Sequence, residues 1–136
     1  MALEGKLTIG NKSYDILECE YEFYQAVDQT GKPSTRPRGG QIHLIMKSTS
    51  DDDMLFQEWM FRKSETKSGK LEFVIGEGQK RTMKTIDFLE AFCVKYYEYF
   101  NYNNSILMYM KVSISANEII FGANGNTKFT NEWHLE

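Results

Sequence analysis

Apolar and polar residues alternate over most of this chain, and a period of two predicts strands with one buried and one wet face. Leu3, Gly5, Leu7 and Ile9 alternate with polar neighbours, and Asn11-Lys12 offers a turn. Residues 14–27 then read as one strand, with Leu17, Cys19, Tyr21 and Phe23 on the apolar face and Glu18, Glu20 and Glu22 on the other. Ile42, Leu44 and Met46 alternate with His43 and Lys47. Residues 71–75 lead through Gly76-Glu77-Gly78 into a long run over 82–100, whose inner face is expected to carry Ile86, Phe88, Phe92, Val94 and Tyr96. After a turn-rich break at 101–105, residues 107–116 alternate through Met108, Met110, Val112 and Ile114. A separate short strand is expected at 118–121, closed by Asn124-Gly125.

One segment carries a helical period. In SDDDMLFQEWMFRK (50–63), Leu55, Phe56, Trp59 and Met60 share a face. Asp51 or Asp52 is placed to cap the helix, and Arg62 and Lys63 sit at the end that favours cations. Seven or eight strands and one short helix predict a single all-β domain over 1–136, a barrel or closed sandwich.

The stretch DQTGKPSTRPRGG (28–40) stands outside this pattern. Hairpin connections usually take two to five residues, and loops of about a dozen are uncommon in compact domains. Here Asp28 opens a segment holding Gly31, Gly39, Gly40 and both prolines of the chain, Pro33 and Pro37, with Arg36 and Arg38 as its charged anchors. A long, stiffened arm on a β domain is expected to touch a partner.

Composition narrows the partner. The chain has 136 residues with 41% hydrophobic and 14% aromatic residues, enough for a core, and a net charge of −3 that argues against nucleic acid. No apolar run reaches the roughly 18 residues needed to span a bilayer, so membrane insertion is not expected. The N-terminal residues lack the charged and apolar regions of a signal peptide, which predicts synthesis in the cytoplasm. Cys19 and Cys93 lie far apart, without metal-ligand spacing, and read as reduced core residues.

No catalytic, metal or cofactor constellation emerges. Asp51, Asp52 and Asp53 lack the spacing of a calcium loop and suit a helix start. Glu18, Glu20 and Glu22 form a solvated or subunit-facing strand surface, since nothing in the sequence desolvates them. His43 and His134 have no nucleophile motif beside them, and Gly76-Glu77-Gly78 is too short to cradle a phosphate. The segment YYEYFNY (96–102) carries aromatics on both strand faces, so Tyr97 and Tyr99 are expected to face a neighbouring subunit. The expectation is a non-enzymatic assembly protein; the alternative is a barrel that holds a small apolar ligand.

The segments LECEYEF (17–23), DQTGKPSTRPRGGQIHL (28–44), LFQEWM (55–60), FLEAFCVKYYEYFN (88–101), SANEI (115–119) and NEW (131–133) follow one another in an order that resembles the Hcp (TssD) tube proteins of type VI secretion systems, in the form found in Bacteroidetes. That resemblance implies a small β-barrel with one short flanking helix, related to phage tail-tube proteins. It implies hexameric rings stacked into a hollow tube, which sheath contraction expels. The implied partners are further copies of the chain, sheath and spike proteins, and effectors carried in the lumen. Release without a signal peptide is implied too, and the arm would reach a neighbouring subunit or the next ring.

Overall fold

The computed structural model describes residues 3–76 and 78–133; Glu77 of the predicted turn and His134 lie outside them. Seven strands and one helix follow in the order β1 (Leu3–Ile9), β2 (Lys12–Tyr21), β3 (Gln41–Lys47), α1 (Leu55–Phe61), β4 (Lys67–Ile75), β5 (Arg81–Phe100), β6 (Met108–Phe121) and β7 (Thr127–Thr130). All pairings are antiparallel, in the order β3-β2-β1-β4-β5-β6. A further pairing of β3 with β6 closes these six strands into a barrel, while β7 hangs on the far end of β6. Closure joins all six strands, but residues 92–100 of β5 pair with β6 alone and residues 18–21 of β2 with β3 alone, which leaves two open edges.

The interior is filled by Leu7, Ile42, Leu44, Met46, Leu71, Ile86, Phe88, Met110, Val112, Ile114 and Ile119, all buried. Helix α1 adds Phe56 and Trp59 to this core. Trp59 Nε1 donates to the Ala91 carbonyl at 3.1 Å, which satisfies the one polar atom its ring carries inside. A ligand-holding barrel needs interior space, and here bulky side chains occupy it.

The helix is held from its first turn. Asp53 accepts hydrogen bonds from Lys12 Nζ (2.9 Å), the Tyr14 hydroxyl (2.8 Å) and the Leu55 amide (3.2 Å). The expected caps, Asp51 and Asp52, are instead exposed, and Met54 at the cap position makes no side-chain bond. Asp53 wins because β2 brings a cation and a phenol to it. Arg62 ends the helix and pairs with Glu65 at 3.7 Å, and Lys63 lies beyond it.

Bulges correct the predicted faces. The β2–β3 register shifts between Ile16 and Glu18, so Ile16 and Cys19 pack inward while Leu17 turns out, 42% exposed. On β5, Glu90 takes a φ of 50° and the register against β4 shifts there, which flips the alternation. Ala91 and Cys93 therefore occupy the core positions expected of Phe92 and Val94. Phe92 packs on Trp133 at 5.4 Å, and Val94 is 46% exposed. A second shift after Cys93 returns Tyr96 to the inner face, as expected. Residues 118–121 are not a separate strand but the continuation of β6. The strand read over 14–27 stops at Tyr21.

Candidate assembly surfaces

Beyond Tyr21 the chain leaves the barrel as a narrow ribbon. Tyr24 and Arg38 exchange backbone hydrogen bonds of 3.0 and 2.8 Å, and Val27 bridges Pro33. The Ser34 amide donates to the Ala26 carbonyl at 2.7 Å, and the Ala26 amide donates to Thr35 Oγ1 at 3.0 Å. The arm expected from its glycines and prolines is thus a two-stranded extension rather than a loop. At its tip, Asp28 Oδ1 accepts from the Thr30 hydroxyl (2.7 Å), the Thr30 amide (2.8 Å) and the Lys32 amide (3.1 Å). These bonds, led by the Thr30 hydroxyl, lower the Asp28 carboxyl below its usual range. Gly31 supplies the positive φ, 87°, that turns the chain back.

The root of the arm is close-packed. Phe23 lies 5.0 Å from Phe129 and 5.8 Å from Phe121, ring centre to ring centre. A Cβ on Gly39 would enter the Phe23 ring, and one on Gly40 would strike the Asn131 amide and approach the Ala116 carbonyl to 2.8 Å. Asn131 Nδ2 donates to Ala116 O (2.9 Å) and Gly39 O (3.3 Å), and Arg36 pairs with Glu132 at 2.9 Å. Gly40 therefore admits the C-terminal segment against the arm, and Gly39 admits the Phe23 ring. Tyr24 and Val27 stay 56% and 61% exposed.

A second surface covers the outer faces of β5 and β6. Tyr97 is outward-facing with the Lys111 ammonium 5.6 Å above its ring, and Tyr99 packs on Tyr109 at 5.3 Å. Tyr96 points the other way, its hydroxyl accepting from Gln57 Nε2 at 2.9 Å, with a pKa raised by burial and then by Glu98. The structure thus divides the aromatic run between core and surface, and Phe100 and Tyr102 extend the exposed side. Glu18 and Glu20 on β2 and Glu22 just beyond it are exposed and form no ion pair among the described residues.

The remaining sequence candidates do not converge on chemistry. His43 Nδ1 lies 2.7 Å from Ser113 Oγ across the β3–β6 ladder, a contact sequence reading missed because it depends on strand register. No carboxylate hydrogen-bonds His43 among the described residues, so nothing orients it as a base. Burial pushes both thiols, Cys19 and Cys93, up to about 11, which makes them poor nucleophiles.

The architecture is a closed six-strand barrel with a plugged interior, one docked helix and a projecting ribbon. A family profile described as hemolysin coregulated protein Hcp (TssD) matches residues 1–134, and the chain belongs to this family of type VI secretion tube proteins. It is similar to Hcp1 from Flavobacterium johnsoniae, at 37% identity over 94% of this chain and 99% of that one, with a TM-score of 0.83. Hcp1 from E. coli EAEC 042 shares the fold at 14% identity, covering 96% of this chain and 97% of that one, with a TM-score of 0.72. The anti-feeding prophage baseplate shows a more distant likeness, at 11% identity over 88% and 91% of the two chains and a TM-score of 0.52. Comparison with curated protein sequences found no match. No helix among the described residues is long and apolar enough to cross a membrane.

Proposed function

We propose that this chain is the ring-forming subunit of the secretion tube, held in the cytoplasm until sheath contraction expels it. Six copies close a ring, rings stack into a hollow tube, and effectors travel in the lumen behind a spike protein. Family membership over residues 1–134 carries this reading. The molecule supports it physically, since a barrel with a filled core has no interior for a ligand and spends its surface on contacts. Two surfaces suit neighbours: the arm, through Asp28, Gly31, Pro33, Arg36, Arg38, Gly39 and Gly40, and the outer tyrosines Tyr97 and Tyr99. A head-to-tail interface closes into a ring when its rotation permits.

Negative-stain microscopy of the purified protein tests the proposal, with rings around a central hole as the expected result. A strictly monomeric species at high concentration and low salt would overturn it.

A further inference from the structure

The bulge on β2 turns Leu17 out of a strand whose other apolar residues face the core, and a bulge is a feature rather than a defect. Leu17 does not stand alone there. With Ile45, Ile106 and Tyr109 it lines an open groove of about 440 Å³, and Glu18 stands on its rim. Lys111 also borders this groove, but its ammonium lies over the Tyr97 ring. The rest of the wall is polar, from Asn104 and Ser105, and its one carboxylate, Glu18, has no ion-pair partner among the described residues.

The arm tip offers the complement. Val27, 61% exposed, bridges Pro33, and Lys32 lies between them and the turn. Lys32 enters no ion pair among the described residues, and the Asp28 carboxylate is consumed by Thr30 and the Lys32 amide. Leu17 lies in the middle of β2, and the tip lies beyond the C-terminal end of that strand. Ten residues of largely extended chain separate Leu17 from Val27, about 30 Å at roughly 3.3 Å per residue. The arm leads away from its own groove, so an arm tip that fills it must come from another copy.

We infer that the arm tip of one copy docks in the Leu17 groove of the next, with Val27 and Pro33 against Leu17 and Ile45 and with Lys32 paired to Glu18. The contact is heterologous, so each copy gives its tip to one neighbour and receives a tip from another. It rests on the tube-subunit reading and names the surface that receives the arm.

Disulfide trapping tests it. Leu17→Cys and Val27→Cys alter exposed positions, and the native thiols, held at about 11, react slowly at neutral pH. Under mild oxidation the double variant is expected to give a ladder of dimers, trimers and longer chains, with neither single variant passing the dimer. Charge reversal is the second arm: Glu18→Lys or Lys32→Glu alone weakens association by roughly tenfold, and the pair together restores it. Assembly that persists without a ladder and without rescue overturns this contact but leaves the tube reading standing. Absence of any self-association overturns both.

Discussion

Replacing Gly40 with alanine probes the joint on which the arm depends. Gly40 has a φ of 99°, a region nearly closed to residues with a Cβ, and such strain costs about 1–3 kcal/mol. The new methyl would also press on the Asn131 amide and lie 2.8 Å from the Ala116 carbonyl. Moving Asn131 aside sacrifices its bonds of 2.9 Å to Ala116 and 3.3 Å to Gly39, each worth about 0.5–1.5 kcal/mol. The sum is a destabilisation of roughly 2–6 kcal/mol, or a fall in Tm of roughly 10–20 °C for a domain of this size. Gly31→Ala is the control. Its φ of 87° imposes strain, but nothing lies within 4 Å of the added Cβ, so only about 1–2 kcal/mol is expected. Urea denaturation separates the two through the shift in midpoint at constant slope. An alanine at position 40 that costs no more than one at position 31 would refute the close approach of the C-terminal segment to the arm root.

Three further outcomes follow from the same geometry. Burial alone would raise the Asp53 pKa, but hydrogen bonds from Lys12, Tyr14 and the Leu55 amide outweigh it and leave the carboxyl lowered. Its contribution is therefore present above the unfolded value of about 3.9 and lost as pH falls through the folded one, so Asp53→Asn should flatten stability measured below about pH 4. The bulge at Glu90 predicts that Val94→Ser stays within about 0.5 kcal/mol while Ile86→Ala costs about 2–5 kcal/mol, and thermal melts of the two variants check this ranking. Arg36→Glu with Arg38→Glu should weaken assembly in sedimentation while circular dichroism stays unchanged, because the exposed Arg36–Glu132 pair contributes at most about 1 kcal/mol to the fold.

Alternation was legible wherever pairing is regular, as in β3 with Ile42, Leu44 and Met46 buried and His43 and Lys47 exposed. It misled where a bulge intervenes. Nothing local marks Glu90 for a positive φ, since glutamate rarely adopts one, and the flip at Phe92 and Val94 is decided by pairing with β4. Leu17 was assigned to the core for the same reason, and the groove it builds needs Ile45 and Tyr109 from other strands. Three consecutive aspartates announced a helix start, but the choice of Asp53 is made by Lys12 and Tyr14, some forty positions earlier. The arm was visible in its length, glycines and prolines. Its ribbon form was not, because the bridges from Tyr24 to Arg38 and from Val27 to Pro33 carry no strand pattern. The ordered segments that resemble the Hcp family carried the functional reading further than any single residue did, and the match over residues 1–134 agrees with them.

The central claim is that this chain is a ring subunit, and its mass in solution tests that most directly. Sedimentation velocity of the purified protein should show a species near 95 kDa, the mass of six chains of 15.9 kDa, or multiples of it where rings stack. A single species near 15.9 kDa that persists at high concentration and low salt would contradict the account.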